Sequence, residues 1–243
     1  MPTFKESVYD NRYMDNRIIA FKSLANLFEK NGYHLYLVGG TVRDFLLGLP
    51  LEDMDAVSDA TPGEIISFLP NVDTTFAHLG SLKYRDEKGI KFDITTLRKE
   101  SGYLDSRHPS QITFVKDLKL DYKRRDFTVN ALYMDKDLII YDYCGGREDL
   151  EKHLLKMVGN PDQRLKEDPL RILRAIRFHL MYHLKIDKEL LEAMRDRFYL
   201  LGNITDAKIR SELNKIDYAK VDEKDKNQIF AQFDIANVKG VIK

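Results

Sequence analysis

Two closely spaced aspartates carry the clearest chemical signal in this chain. Asp53 and Asp55 are two residues apart in the segment Leu51–Val57, which we predict to be a strand, so both side chains leave the same face of a sheet. Neighbouring carboxylates repel each other unless a cation lies between them. Mg²⁺ binds oxygen ligands and commonly joins one or two carboxylates to substrate phosphates. The pair therefore predicts a magnesium site that serves chemistry at phosphorus.

A glycine pair precedes these acids and predicts a phosphate-binding turn. Gly39 and Gly40 follow the apolar run Tyr36–Val38, and the helix-like segment Thr41–Leu47 comes directly after them. Glycines let the backbone approach a ligand closely, and a helix N-terminus attracts anions. Either feature alone is compatible with an ordinary strand–helix turn and two surface acids. Together they favour phosphoryl or nucleotidyl transfer.

Three further segments are of interest for a catalytic or ligand-binding site. Asp93 lies in the predicted strand of residues 88–97, and it completes a three-carboxylate site if that strand lies beside the strand of Asp55; otherwise it faces solvent. Residues 98–111 are polar and lack periodicity, which predicts a flexible loop. Arg124 and Arg125 open an apolar segment, so we expect at least one of them to turn inward or toward a ligand.

A later helix, predicted over Asp168–Leu184, carries a second constellation. Asp168 and Arg171 are three residues apart, and Arg174 and Arg177 follow at the same interval. One reading is an ion pair on a solvated helix face. In the other, a carboxylate acceptor and a guanidinium donor match the amino group and ring nitrogen of cytosine or adenine, and they mismatch uracil and guanine.

The amino-acid composition limits the classes of protein to which this chain can belong. The 243 residues contain equal numbers of basic and acidic side chains, 39 of each, so any polyanion site depends on local clustering. Cys144 is the only cysteine, which excludes an intrachain disulfide and favours a reducing compartment. The chain has no apolar run of the roughly 20 residues that span a bilayer and no signal-like N-terminus, so we expect a cytoplasmic protein with no membrane partner. The sequence gives no indication of oligomeric state.

The predicted elements define an α+β fold in two domains. Residues 1–150 alternate helices and strands, with a helix over residues 16–31, a capping box at Thr61–Glu64, and strands at Phe76–Tyr84, Ile112–Val115 and Leu138–Tyr141. Residues 151–243 are predicted to be helical, beginning with a helix at Glu151–Val158.

Several motifs together resemble those of class II tRNA nucleotidyltransferases (CCA-adding enzymes) and bacterial poly(A) polymerases. The segment Gly39–Asp55 fits the family pattern GGxVRDxLLGxxxxDxD at every fixed position. The segments RRDFTVNAL at Arg124–Leu132, GGREDL at Gly145–Leu150 and EDPLRILRAIRF at Glu167–Phe178 match further family motifs. The similarity extends from about residue 33 to residue 214.

The resemblance implies a fold and a set of roles. The fold is a nucleotidyltransferase head, with a mixed, mainly antiparallel sheet flanked by helices, followed by a helical neck. The activity is addition of C and A residues to the 3′ end of tRNA, or another RNA, from CTP and ATP by a two-metal mechanism. Mg²⁺ is held by Asp53 and Asp55 with Asp93 as a third catalytic acid, and the nucleotide-binding residues are Gly39, Gly40, Arg43, Arg125, Asp126, Asn130, Asp168, Arg171, Arg174 and Arg177.

The sequence departs from the family in its length. Members usually continue for a hundred or more residues into body and tail domains that grip tRNA, so the chain is either truncated or a minimal form. Because a flexible loop at this position accompanies A addition in the family, residues 98–111 argue against a strictly CC-adding enzyme. Two alternatives stay open: an A-only or poly(A) polymerase, and a non-catalytic nucleotide-binding module.

Overall fold

The computed structural model describes residues 15–52, 54–103, 109–233 and 235. Within them the chain divides into two compact units. The first comprises residues up to 101 together with 111–125 and 129–146, and the second comprises residues 102–110, 126–128 and those from 147 onward.

The first unit alternates helices and strands. In chain order its elements are α1 (Asn16–Lys30), β1 (Leu35–Val38), α2 (Gly40–Leu47), β2 (Met54–Ser58), α3 (Pro62–Phe68), β3 (Ser81–Arg85), β4 (Lys91–Thr96), β5 (Arg98–Tyr103), β6 (Pro109–Phe114), α4 (Leu118–Asp121), β7 (Leu132–Met134) and β8 (Ile140–Asp142), of which residues 102–103 of β5 and 109–110 of β6 fall in the second unit. Short 3₁₀ turns lie at Ala77–Leu79, Tyr122–Arg124 and Thr128–Asn130.

Six of these strands form one mixed sheet in the order β3-β4-β2-β1-β7-β8. β2 and β4 are parallel, whereas β1 is antiparallel to β2 and β7, β3 to β4, and β7 to β8. This arrangement confirms the predicted α+β class and the mainly antiparallel sheet. Because β1 runs against β2 and β4, the end of β1 and the beginnings of β2 and β4 meet at the same edge of the sheet.

Apolar periodicity explains how the first unit packs. α1 buries Ile18, Phe21, Leu24, Ala25 and Phe28, which recur at helical spacing. On one sheet face Val38, Val57 and Tyr133 pack with Leu97 and Leu118 in a buried cluster. The predicted capping box of α3 is confirmed, since Thr61 accepts from the backbone N–H of Glu64 and the Glu64 carboxylate accepts from that of Thr61.

The prediction of a loop over residues 98–111 was wrong for residues 98–103 and 109–111. Residues 98–103 and 109–114 form β5 and β6, a separate two-stranded sheet; residues 104–108 lie outside the described residues. β5 forms without alternating apolar side chains, because its charged side chains form ion pairs. The Glu100 carboxylate lies 2.7 Å from the Arg98 guanidinium and 3.5 Å from that of Arg124.

Other strands also differ from the prediction. The strand predicted at Phe76–Tyr84 begins only at Ser81, because a 3₁₀ turn ends at Gly80, whose φ of 83° only glycine adopts readily. The short strand β7, which begins at the last residue of the RRDFTVNAL motif, was not predicted.

The second unit is mainly helical. Its elements are α5 (Gly146–Glu151), β9 (Leu154–Leu155), α6 (Pro161–Glu167), α7 (Leu170–Tyr182), β10 (Lys185–Ile186), α8 (Lys188–Arg197), α9 (Asp206–Leu213) and α10 (Glu223–Gln232), with 3₁₀ turns at Phe198–Asn203 and Tyr218–Lys220. β9 and β10 pair in parallel. Fully buried apolar side chains at the centre of this unit include Leu165, Ile172, Leu173, Ile176, Leu190, Met194 and Ile209.

The predicted helix at Glu151–Val158 was wrong. The helix here ends at Glu151, His153 takes a left-handed conformation with a φ of 52°, and the chain then forms β9. α6 was missed although Asn160 and Pro161 are a typical helix start; the Asn160 side chain accepts from the backbone N–H of Gln163. Among the helices of the described residues, none has the length and apolar composition needed to cross a membrane.

Candidate active site

The glycine pair forms a tight turn between β1 and α2. Gly39 has a φ of 66° and a ψ of −129°, a combination of backbone angles that residues with a Cβ rarely adopt. The helix α2 begins at the next residue, Gly40. The backbone N–H of Gly39 donates to Leu132 O (3.2 Å), and that of Arg43 donates to Gly39 O (3.1 Å). The first N–H groups of α2 therefore lie at the sheet edge where β1 ends.

Arg43 lies against this turn and is 4% exposed. Its Nη1 donates to Asn130 Oδ1 (2.7 Å), and its Nε and Nη2 donate to Asp44 Oδ1 (3.0 and 2.8 Å). A Cβ on Gly40 would lie 3.4 Å from Arg43 Nη2, so this guanidinium packs directly against the turn. Arg43 and Asn130, two predicted nucleotide-binding residues, thus contact each other.

Two of the three predicted catalytic acids lie side by side in the first unit. β2 and β4 pair with Asp55 directly opposite Asp93, so both side chains leave the same face with Cβ atoms about 5 Å apart. The backbone N–H of Asp55 donates to Thr41 Oγ1 (2.9 Å), which ties the start of α2 to β2. Asp93 is half-exposed. The strand adjacency on which the prediction for Asp93 depended is therefore present; Asp53 lies outside the described residues.

The donor set at this position fits magnesium. Asp55 and Asp93 offer only carboxylate oxygens, the ligand type that Mg²⁺ prefers, and they lie at an open sheet face where further oxygens from water or phosphate have room. No group of three or more metal-binding side chains occurs among the residues with described positions. A magnesium site thus needs Asp53, substrate oxygens or water in addition to this pair.

Arg125 belongs to a buried ion cluster below the same turn. Asp121 is completely buried, and its carboxylate accepts from Arg125 Nη2 (2.8 Å), Arg124 Nε (2.8 Å) and the Tyr133 hydroxyl (2.8 Å). Burial opposes ionisation of Asp121, but Arg125 and Arg124 outweigh it and hold the pKa of this carboxyl far below its usual range. Both arginines therefore turn toward Asp121.

Arg125 also reaches the glycine turn. A Cβ on Gly39 would lie 3.8 Å from Arg125 Nη1, so this guanidinium borders the backbone that we predict to hold phosphate. Burial would lower the pKa of Arg125, but Asp121 outweighs it and raises that pKa, so the guanidinium is charged at any working pH. This placement is compatible with the predicted contact between Arg125 and a nucleotide.

Within the second unit, two predicted nucleotide-binding residues bind each other. Arg174 Nε donates to Asp126 Oδ2 (2.8 Å), and Arg174 Nη2 contacts the same oxygen. The Asp126 carboxylate raises the pKa of Arg174 against the effect of its burial. Phe127 is completely buried and packs edge-to-face on Phe178 of α7, with ring centroids 5.5 Å apart, so the Asp126 backbone is held beside this helix.

Asp168 and Arg171 are not neighbours on one helix, and the predicted start of the helix at Asp168 was wrong. Asp168 is extended, with φ −148° and ψ 97°, and α7 begins after Pro169. The reason is local, because a residue before proline is disfavoured in helical conformation. The Asp168 carboxylate accepts from the backbone N–H of Leu170 (3.1 Å).

Arg171 is nearly buried, and its contacts are within the second unit. Its Nη1 donates to Arg164 O (2.6 Å) and to Glu167 Oε2 (3.3 Å). Its Nε and Nη2 donors have no partner in the part of the chain that the structure describes. These donors are the groups that could read a base edge.

Arg177 pairs with a carboxylate different from those that bind Arg171 and Arg174. Its Nε donates to Glu212 Oε1 of α9 (2.7 Å), and its guanidinium carbon lies 4.4 Å from the Phe178 ring centroid. Burial opposes ionisation of Glu212, but Lys215 and Arg177 outweigh it and lower the pKa of Glu212. Arg171, Arg174 and Arg177 therefore point in three directions, as their spacing predicts.

Sequence reasoning missed the carboxylates that hold these arginines. Asp121 was not singled out, although it precedes Arg125 by four residues, a spacing that favours an ion pair on one helical turn. Glu212 lies 35 residues from Arg177, and no local signal could have revealed that pair.

A family model described as "Poly A polymerase head domain" matches residues 35–156, half of the chain. The chain is 38% identical over 195 residues to a CCA-adding enzyme of Staphylococcus haemolyticus, covering 80% of this chain and 48% of that protein. It is 43% identical over 194 residues to a CCA-adding enzyme of Lactobacillus johnsonii, covering 79% and 48%.

A solved structure of a CCA-adding enzyme is also similar to this chain. The Bacillus stearothermophilus CCA-adding enzyme in complex with CTP superposes with a TM-score of 0.77 at 30% identity, covering 84% of this chain and 49% of that one. The chain thus spans about half the length of the curated relatives that it matches.

Proposed function

The chain belongs to the poly A polymerase head domain family, and we propose that it is a template-independent nucleotidyltransferase. It adds C and A residues to the 3′ end of tRNA from CTP and ATP and releases pyrophosphate. The observation that carries the proposal is the placement of Asp55 opposite Asp93, at the sheet edge where the glycine turn opens α2. Similarity to proteins named CCA-adding enzymes supports the choice of product.

The phosphate side of the reaction belongs to the first unit. The backbone N–H groups at Gly39 and Gly40 bind the triphosphate of the incoming nucleotide, with positive charge from Arg125 beside them. Asp53, Asp55 and Asp93 would hold Mg²⁺, which when bound neutralises phosphate charge and lowers the pKa of an attacking hydroxyl. A bond forms between the RNA 3′ oxygen and the α-phosphorus, and the bond from that phosphorus to pyrophosphate breaks.

The choice of base belongs to the second unit. In this proposal the Asp168 carboxylate accepts from the exocyclic amino group of cytosine or adenine, and Arg171 donates from Nε and Nη2 to the adjacent acceptors. Glu167 and Arg164 O fix the guanidinium, because they occupy its Nη1. Uracil or guanine would leave the partly buried Asp168 carboxylate and the nearly buried Arg171 donors without partners, which is costly.

Arg174 and Arg177 take supporting roles at the nucleotide in this proposal. Each is already fixed by a carboxylate, Asp126 or Glu212, so little side-chain entropy is lost when a ligand binds.

The domain assignment follows the same proposal. Residues 1–150 are the catalytic head domain and residues 151–243 the helical neck that selects the base. The single cysteine and the use of tRNA as substrate favour the cytoplasm as its location.

A tRNA extension assay tests the proposal. The protein is incubated with Mg²⁺, CTP, ATP and a tRNA transcript that lacks its 3′-terminal CCA, and product length is read on a sequencing gel. We expect three added residues, and no extension by Asp55→Ala, which should still fold because Asp55 is only half-buried. Unchanged incorporation by Asp55→Ala would contradict the catalytic assignment.

A second candidate is an A-only or poly(A) polymerase, which the description of the matching family model favours. The same assay separates the two, since a single added A or a long A tail would replace the CCA product. A non-catalytic nucleotide-binding module would bind CTP and ATP but give no extension under any condition.

A further inference from the structure

Two basic side chains oppose each other on the hairpin of β3 and β4. In the antiparallel register Arg85 lies directly across from Lys91, so their Cβ atoms are about 5 Å apart on one face. Both residues are exposed. Neither side chain forms a hydrogen bond or an ion pair with any residue in the described ranges 15–52, 54–103 and 109–233.

This pair has no evident role in folding. Like charges directly opposite each other destabilise a strand pair. Of the acids in the hairpin turn, the Asp86 carboxylate accepts from the backbone N–H groups of Lys88 and Ile90 (3.0 and 2.7 Å). Within the described residues, no ion pair joins the side chain of Asp86 or Glu87 to either cation. An anionic ligand would explain why two cations are held side by side.

The position of the pair relates it to the catalytic acids. Lys91 is two residues before Asp93 on β4, so both side chains leave the same face, which is also the face of Asp55. Lys83, opposite Asp93 and 3.9 Å from its carboxylate, extends the row of charges onto β3.

The glycine turn lies on the other side of these acids. In the strand order β3-β4-β2-β1, Gly39 follows β1, the acids lie on β2 and β4, and the basic pair lies on β4 and β3. All three features are at the same edge of the sheet, because β1 ends where β2 and β4 begin. The triphosphate and the RNA must approach the reacting phosphorus from different sides.

We propose that Arg85 and Lys91 bind backbone phosphates of the substrate RNA near its 3′ end. This inference rests on the proposed function. RNA is favoured over the nucleotide triphosphate because the pair lies beyond the acids from the glycine turn: Lys91 on β4 is two strand spacings, roughly 10 Å, from β1, and Arg85 on β3 is three, roughly 15 Å. In a chain with no net charge, such a local pair is how a polyanion can be recognised.

The test compares the full chain with its Arg85→Gln/Lys91→Gln variant. Affinity for a fluorescent tRNA transcript lacking CCA is measured by anisotropy between 50 and 300 mM salt, without nucleotide. We expect binding to weaken by about tenfold at low salt, and the slope of log K against log salt to fall by about 1.4 for two lost contacts on single-stranded RNA. In extension assays the KM for tRNA should rise while the KM for CTP is unchanged.

The control removes the same charge elsewhere. Arg17→Gln/Lys30→Gln changes two exposed cations on α1 and should leave the salt slope unchanged. Thermal unfolding separates lost RNA binding from misfolding. The melting temperature of Arg85→Gln/Lys91→Gln should rise slightly, because two like charges no longer oppose each other.

Failure of this inference differs from failure of the proposed function. An unchanged salt slope in a variant that still extends tRNA would overturn the RNA contact alone, as would a raised KM for CTP with normal RNA affinity. A wild-type chain that never extends RNA overturns the function, and one that also fails to bind RNA overturns both.

Discussion

The buried carboxylate of Asp121 should be essential to the stability of the first unit. Replacing it by asparagine keeps the size of the side chain but removes the charge that faces Arg124 and Arg125. The new amide N–H₂ would also point donors at donors, because both carboxylate oxygens currently accept from Arg124, Arg125, Tyr133 or the Arg98 backbone N–H. Removing one partner of a buried ion pair typically costs about 3–5 kcal/mol. We expect Asp121→Asn to lower the free energy of unfolding by about that amount.

The measurement is urea unfolding followed by far-UV circular dichroism, since the chain has no tryptophan. Asp117→Asn is the matched control, the same chemical change four residues earlier. Asp117 is exposed and caps α4 by accepting from the backbone N–H of Lys119 (2.8 Å). Asparagine caps a helix about as well as aspartate, so the control should stay within about 0.5 kcal/mol of wild type.

The pH dependence has a definite sign. The pKa of Asp121 in the folded chain is depressed below its unfolded value of about 3.9. Its charge therefore stabilises the fold fully above that pH, and the stabilisation is lost as the pH falls below about 4. The difference between wild type and Asp121→Asn should be constant from pH 5 to 8 and shrink in more acidic solution. A difference under 1 kcal/mol at pH 7, or one that grows on acidification, would refute this reasoning.

Two further predictions concern other polar contacts. Asp126→Asn and Arg174→Gln should be coupled in a double-mutant cycle by about 1–3 kcal/mol of unfolding free energy, because the pair is largely shielded from water; additive effects would contradict the pairing. A hydrogen bond to Asp135, aided by burial, raises the pKa of Tyr141 to about 12, so the stabilisation that it provides is complete below about pH 10 and is lost as the pH rises through about 12. Asp135→Asn should bring this pKa back toward 10 in NMR titrations of ¹³Cζ-labelled tyrosine, and an unchanged titration would show that the contact has no effect.

Local patterns predicted the parts of the site that depend on sequence neighbours. The glycine turn, α2 and the strand of Asp55 were all predicted, since a positive φ needs glycine and strand parity fixes which side chains share a face. Parity also gave the face of Asp93. It could not show that β4 lies next to β2, because that adjacency is set by the topology of the whole sheet.

The errors have two physical causes. The strand β5 lacks apolar alternation because Glu100 and Arg98 are held by ion pairs, one of them to Arg124, 24 residues away, and periodicity carries no information about such partners. The start of α7 could have been predicted correctly. Spacing suggested that Asp168 and Arg171 share a helix face, but Pro169 restricts the residue before it to extended conformations.

The two arginines near the glycine turn suggest how the phosphate site is kept in place before any ligand arrives. Arg125 borders Gly39 and is fixed by Asp121, whereas Arg43 borders Gly40 and is fixed by Asp44 and by Asn130. In the proposed function, each guanidinium is already ordered and desolvated, so the turn would supply positive charge to a triphosphate at little entropic cost. Arg43, with 4% of its surface exposed, would then act mainly through the backbone that it supports. The hydrogen bond from the Asp55 N–H to Thr41 fixes the start of α2 relative to β2, and it would hold the proposed phosphate site beside the proposed catalytic acids.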